Sequence, residues 1–264
     1  MRYGAMNFPI VPILDEIETF AGLGFDYLEL TMDHPEAHYS TVSANQAAIT
    51  RALRRHDMGI VCHLPTFVSP ADLTDSIRRA SVTEMKRSLS VATDMGARKV
   101  VLHPPMIGGM GAYVPEKAMG YAYDFLSEIL SQSETLGVTI CLENMMPRNN
   151  FGVEPPELET IFNTFPSLKF TLDTGHANLN DNGQNRLQEL VRRFVNRVGH
   201  VHLSDNRGVY DDHFRLGNGN IDFPSLANVL VEAGYDDTVT FEVFDRNRQM
   251  LVESREFWCK LVDQ

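Results

Sequence analysis

The feature that most limits the fold is an alternation running from one end of the chain to the other. Eight short apolar runs recur: RYGAM (2–6), FDYLELT (25–31), GIVCH (59–63), KVVLH (99–103), VTICLE (138–143), LKFTLD (168–173), VGHVHL (198–203) and TVTFEV (238–243). Near-continuous apolar runs of this length read as parallel strands buried on both faces. Between them lie longer segments with helical spacing: Ile17, Phe20 and Ala21; Ile49, Leu53 and His56; Tyr121, Phe125, Ile129 and Leu130; Leu187, Leu190, Val191 and Phe194. Gly96, Gly137 and Gly234 fall where a helix must stop before the next strand. Eight strands alternating with eight helices in 264 residues predict a single (β/α)₈ TIM barrel spanning 1–264. An open doubly wound sheet would carry a Gly-rich phosphate turn after an early strand, and NFPIVP after the first run has none.

Composition narrows the function classes. Net charge is −12, from 23 basic and 35 acidic residues, which disfavours non-specific binding to nucleic acid or to anionic membranes. The three cysteines, Cys62, Cys141 and Cys259, are not clustered, as expected of a cytoplasmic protein without a disulfide framework. No stretch approaches the roughly 20 apolar residues of a membrane span, and MRYGAMNFPIVP has no signal-peptide core. A small-molecule substrate is expected, and a homo-oligomer is compatible with the sequence.

Chemistry concentrates at the strand ends. Runs three to eight each end in a metal-type ligand: His63, His103, Glu143, Asp173, His202 and Glu242. In a barrel these ends converge on one face, where catalytic groups sit. Strand side chains alternate, so each ligand points inward together with its i−2 neighbour: Val61, Val101, Cys141, Thr171, His200 or Thr240. The adjoining loops add His176 in DTGH, and Asp211 and His213 in DDH. Five imidazoles and four carboxylates suit Zn²⁺, Mn²⁺, Fe²⁺, Co²⁺ or Mg²⁺, and nine ligands exceed what one ion needs, so one to three ions per chain are expected. Three carboxylates facing one another would be costly to ionise without a cation, which makes Glu143, Asp173, His202 and Glu242 the firmest set. The other five either hold metal, hydrogen-bond substrate or orient a ligand. Glu29 points inward at the second strand, either toward substrate or into a buried structural role. Phe67, Phe151 and Phe244 are candidate pocket walls. Arg148 and Arg207 are candidate anion anchors, GGMG (108–111) a loop with lid character, and Asp222 a helix cap.

These motifs resemble the xylose isomerase-like TIM-barrel superfamily over essentially the whole chain. The matching stretches are GFDYLEL (24–30), HLP (63–65), HPP (103–105), LEN (142–144), LDTGH (172–176), HVHLSDN (200–206), DDHFRLGNGNIDF (211–223) and FEV (241–243). Resemblance to its sugar isomerases and epimerases implies one metal at Glu143, Asp173, His202 and Glu242. It also implies proton transfer by Glu143 and Glu242 and a substrate hydroxyl held by His176. Resemblance to endonuclease IV implies instead a trinuclear zinc site and phosphodiester cleavage at abasic DNA. There, His63, His103 and Glu143 would hold one ion, Glu143, Asp173, His202 and Glu242 the second, and His176, Asp211 and His213 the third. The acidic loop MDHPEAHYS (32–40) lacks the basic residues of the nuclease, which favours the isomerase or epimerase reading. A non-enzymatic binding barrel would require both glutamates to be inert.

Overall fold

Eight parallel strands close on themselves in chain order: β1 Arg2–Met6, β2 Tyr27–Thr31, β3 Gly59–His63, β4 Lys99–Leu102, β5 Thr139–Glu143, β6 Lys169–Asp173, β7 Val198–Leu203 and β8 Thr238–Phe241, with β8 pairing β1. This is a computed structural model, and it describes residues 1–181, 183 and 185–263. The described helices are α1 Ile13–Gly22, α2 Tyr39–Arg55, α3 Asp75–Asp94, α4 Pro115–Leu136, α5 Pro155–Thr164, the short α6 Thr174–Asn178, α7 Asn185–Phe194, α8 Phe223–Glu232 and α9 Gln249–Val262. The expected fold class is what the structure has. Strand ends differ by a residue or two, so His103 and Glu242 sit just past β4 and β8. Among the described residues, no helix is long and apolar enough to cross a membrane.

Alternation along the strands separates two layers. Leu28, Leu30, Cys62, Val100, Leu102, Leu142, Phe170, Leu172, Val201 and Phe241 face outward and join one core with Ile17, Phe20, Leu53, Leu89, Phe125 and Leu158 of the helices. Each such burial stabilises the fold by about 1.5–3 kcal/mol. The inward layer is different. Tyr27, Val61 and Val101 form a small apolar cluster inside the barrel, and Glu29, Thr171, His200 and Thr240 are fully buried beside it. The inner lumen is therefore half polar, and those polar groups must satisfy one another.

Helix ends follow the sequence signals. Gly137 closes α4 in the left-handed region at φ 69°, a conformation that costs glycine little. Asp222 caps α8, its carboxylate accepting from Ser225 N at 3.1 Å. GGMG runs into a 3₁₀ turn at Gly109–Tyr113.

Candidate metal centre

His63, Glu143 and Asp173 end their strands, His202 is penultimate in β7, and the adjoining loops supply the other five candidates. The structure brings all nine to the same end of the barrel. Asp173 is also the N-cap of α6: its Oδ1 accepts from His176 N at 2.6 Å, and that turn swings the His176 ring back toward Glu143. His213 is held at φ 49°, a left-handed conformation that costs a non-glycine residue of order 1 kcal/mol. An antiparallel bridge between Asp205 and Phe214 fixes the segment that holds it there.

The separations between ligand atoms are the most informative numbers. His202 Nδ1 lies 3.5 Å from Glu143 Oε1, 3.6 Å from Asp173 Oδ2 and 3.3 Å from Glu242 Oε2. His63 Nε2, His103 Nε2 and Glu143 Oε2 form a second triangle with edges of 3.2, 3.2 and 3.5 Å. Asp211 Oδ2 lies 3.4 Å from His176 Nε2 and 3.2 Å from His213 Nε2. A charge-assisted hydrogen bond would be about 2.7–2.9 Å. Ligands about 2.1 Å from a tetrahedral cation are separated by about 3.4 Å, the tetrahedron's edge. The observed values cluster around the second figure. Both oxygens of Glu143, Asp173 Oδ2, His202 Nδ1, Asp211 Oδ1 and Glu242 Oε2 are buried without a hydrogen-bond partner among the described residues.

Proton placement agrees with the distances. His63 Nδ1 lies 2.8 Å from Leu64 O, His176 Nδ1 3.0 Å from Asn144 O, and His213 Nδ1 3.0 Å from Glu242 O. A carbonyl only accepts, so each of these Nδ1 atoms bears the hydrogen, and a ring without a second proton presents a lone pair at Nε2. All three lone pairs aim at carboxylates or at another imidazole nitrogen. Lone pair against lone pair is repulsive unless positive charge lies between. The residues present therefore fit divalent cations, with Glu143, Asp173, His202 and Glu242 around one, His63, His103 and Glu143 around another, and His176, Asp211 and His213 the donors for a third. His63, His103 and Glu143, and likewise Glu143, Asp173 and His202, have their ligand atoms within 4.8 Å of one another.

The electrostatics show the same demand for a cation. Burial pushes the Asp173 carboxyl up to about 6. Burial also works against ionisation of Glu143, but His103 and His202 outweigh it and hold Glu143 well below the carboxylate range. Burial disfavours charge on His213, yet Glu242 and Asp211 raise it to about 9. His202 is likewise driven well above the imidazole range, against its burial, by Glu29 and Glu143. Where the carboxylates are fewer burial wins, and His103 is lowered. A proton and a metal ion compete for the same electron pairs here.

Other sequence expectations fare unevenly. His200 and Glu29 lie inside the barrel behind His202, in direct contact with each other at 2.8 Å, and not on the open face. Phe244 stands 4.7 Å from His213 and Phe67 is exposed beside His103, so both border the site. Phe151 does not: it is fully buried in the helix-facing core, against Tyr123. Arg148 borders a cleft of about 560 Å³ that opens beside His103 between Pro65, Met106 and Met146. Arg207 lies over the Phe214 ring. His38 and His56, which have no partner by spacing, contact Glu84 at 2.8 Å and Glu18 at 3.0 Å from neighbouring helices. Sequence reasoning missed Asp205. Fully buried, it accepts from four backbone N–H groups, those of Asn206, Gly217, Gly219 and Ile221, and so braces the loop that carries Asp211 and His213. Its sequence signals are its place in HVHLSDN (200–206) and an acidic residue 12 positions before Gly217 in a Gly-rich turn.

Comparison with known proteins agrees with this fold. A family model described as a xylose isomerase-like TIM barrel matches residues 17–261. An uncharacterized protein of Methanocaldococcus jannaschii is 29% identical over 263 residues, covering 97% of this chain and 87% of its own. The L-ribulose 3-epimerase of Mesorhizobium japonicum is 25% identical over 181 residues, 67% of this chain and 58% of that enzyme. Among solved structures, a D-tagatose 3-epimerase-like protein superposes with a TM-score of 0.88 at 27% identity, covering 100% of this chain and 97% of its own.

Proposed function

The chain belongs to the xylose isomerase-like TIM-barrel family, and from that premise we propose that it is a divalent-metal-dependent epimerase or isomerase of a small sugar, polyol or related hydroxy-carbonyl compound. One observation carries the reading: three buried carboxylates surround the His202 lone pair at 3.3–3.6 Å, a spacing suited to a shared cation. The likeness to a D-tagatose 3-epimerase-like protein along the whole chain supports the substrate class.

A divalent ion bound by Glu143, Asp173, His202 and Glu242 would polarise a substrate carbonyl and acidify the neighbouring C–H. Glu143 and Glu242 flank His202 from different strands and are the proton-transfer pair. One carboxylate takes the proton from the carbon beside the carbonyl. The electron pair of the broken C–H bond moves into the carbonyl group; it then returns to form the new C–H bond with a proton from the other group, which enters the step as the carboxylic acid and leaves it as the carboxylate. His176, its Nδ1–H tied to Asn144 O, keeps Nε2 for a substrate hydroxyl or for a further cation.

The test is incubation of the Mn²⁺- or Co²⁺-loaded protein with ketoses and ketose phosphates in D₂O, reading deuterium incorporation at carbon. Exchange with at least one of them is expected. Metal-loaded protein that exchanges none would refute the proposal. The second triangle, His63, His103 and Glu143, has the donors for a further ion, which an alternative reading as a phosphodiesterase would require, although the likeness to a sugar epimerase-like protein does not favour it. That reading expects two or three ions per chain by elemental analysis and nicking of an abasic oligonucleotide. One ion per chain would exclude it.

A further inference from the structure

Inside the barrel, directly behind the metal centre, lies a polar group that the reaction as proposed does not use. Glu29 of β2 is fully buried. Its Oε1 lies 2.9 Å from His202 Nε2, and its Oε2 lies 2.8 Å from His200 Nε2 and also contacts Thr240 Oγ1. We infer that Glu29 is a positioning residue, one that holds His202 in the tautomer presenting Nδ1 to Glu143, Asp173 and Glu242. The inference rests on the metal reading of that cage and adds what makes His202 a ligand at all.

The direction of each hydrogen bond follows from the donor inventory. An ionised carboxylate only accepts. His202 must therefore carry its proton on Nε2, toward Glu29, and leave Nδ1 bare. His200 donates from Nε2 in the same way and accepts at Nδ1 from the Thr238 hydroxyl at 2.7 Å. Thr238 Oγ1 in turn accepts from Lys99 Nζ at 3.1 Å. On the other side, Tyr27 donates to Thr240 at 2.7 Å, and Thr240 donates to Glu29. Every chain of donors ends on Glu29. This is consistent only if Glu29 is the ionised acceptor of the lumen.

Glu29, His200 and His202 also have ligand atoms close enough to suggest an ion among them. Their separations argue otherwise. Contacts of 2.8 and 2.9 Å are direct hydrogen bonds, whereas the cage on the other side of the same ring opens to 3.3–3.6 Å. The two nitrogens of His202 thus face two kinds of neighbour, a hydrogen-bonded carboxylate and a cation-sized gap. His202 also differs from His63, His176 and His213. Those three are oriented by neutral backbone carbonyls, which no substitution removes. Of these four, His202 is the one hydrogen-bonded directly to a carboxylate through the nitrogen opposite its ligand atom, and that charge raises the donor strength of the opposite nitrogen.

The experiment measures metal binding, not turnover. Metal-stripped wild-type, Glu29→Gln and Tyr27→Phe proteins are titrated with Zn²⁺ and Mn²⁺ against a chromophoric chelator, with circular dichroism confirming the fold. In Glu29→Gln, an amide that donates as well as accepts replaces a pure acceptor. Affinity is expected to fall 10- to 100-fold. Tyr27→Phe perturbs the same lumen but leaves the Glu29–His202 contact in place, and its affinity is expected to stay within about three-fold of wild type. Independently, ¹⁵N-histidine spectra of Zn²⁺-loaded wild-type protein should show His202 protonated at Nε2 and metal-bound at Nδ1, a readout that stands even if Glu29→Gln does not fold. Wild-type affinity in Glu29→Gln, an equal loss in Tyr27→Phe, or a His202 protonated at Nδ1 would each overturn the inference while leaving the proposed activity intact. A wild-type protein that binds no metal would overturn both.

Discussion

Asp205 sits beneath the loop that delivers Asp211 and His213, and replacing it by asparagine tests how that loop is held. Its Oδ2 accepts from Gly217 N at 2.9 Å and Gly219 N at 2.7 Å, and its Oδ1 from Asn206 N at 2.9 Å and Ile221 N at 3.3 Å. Asparagine keeps one acceptor oxygen and turns an NH₂ toward the other two N–H groups. Two bonds to a charged acceptor are lost outright, at about 1.5 kcal/mol each, and the remaining two weaken to neutral strength, at about 0.5 kcal/mol each. Gly217 lies at an exposed turn, so its N–H regains a bond to water and returns roughly 1 kcal/mol. The expected loss is therefore about 3 kcal/mol, which for a domain of this size lowers Tm by roughly 6–12 °C. Guanidinium denaturation should show the midpoint falling with an unchanged slope. Amide exchange should accelerate first at Gly217 and Gly219. A loss under about 1 kcal/mol, or unchanged exchange at those two amides, would show that the carboxylate does not brace the loop.

Three further outcomes follow from the same contacts. Gly219→Ala should destabilise by about 3 kcal/mol or fail to fold, because a Cβ there would stand 2.1 Å from Asn206 O and 2.2 Å from Asp205 Oδ1; thermal melting reads it. Arg248→Ala removes the partner, 2.5 Å away, of the buried Glu16 carboxylate and should cost about 2–3 kcal/mol at pH 7. Burial raises the Glu16 pKa against the pull of Arg248, so losing Arg248 raises it further. The protonated acid tolerates burial, so the penalty should be largest above the folded-state pKa and shrink as pH falls toward 4, which paired denaturation curves at the two pH values check. Glu242→Gln should lower kcat by about 10²–10⁴-fold while the protein still takes up metal, as measured by deuterium exchange and elemental analysis.

The barrel was legible because each strand is buried on both faces and each helix on one, so the apolar pattern changes period at every boundary. The strand-end ligands were legible for a related reason. Period-two alternation carries His63, Glu143, Asp173 and His202 inward together with their i−2 neighbours, whatever the distant residues do. What stayed hidden depends on groups far apart in sequence. Asp205 is read through amide hydrogens up to 16 residues away. The tautomers of His63, His176 and His213 depend on where the carbonyls of Leu64, Asn144 and Glu242 point. From sequence Glu29 pointed inward, toward substrate or into a buried structural role, and inward in a closed barrel has two levels. Glu29 lies one pleat below the open face, where it meets His200 and His202, not solvent.

Glu143 shows how far the two kinds of information combine. From sequence it is the last residue of an apolar run, one candidate ligand among nine. In the folded barrel its two oxygens face different partners. Oε1 lies 3.0 Å from His176 Nδ1 and 3.5 Å from His202 Nδ1, while Oε2 lies 3.2 Å from His103 Nε2 and 3.5 Å from His63 Nε2. One carboxylate is thus common to both triangles, and positive charge gathered on the His63–His103 side is felt at the Glu242 side through it. A group so placed cannot be tuned as a proton carrier independently of its neighbours. On the proposed mechanism, whatever occupies the His63–His103 position, proton, substrate or metal, would set how readily Glu143 gives up or takes a proton. The histidines of β3 and the β4 loop would then bear on the reaction even if a single ion at Glu143, Asp173, His202 and Glu242 carried it.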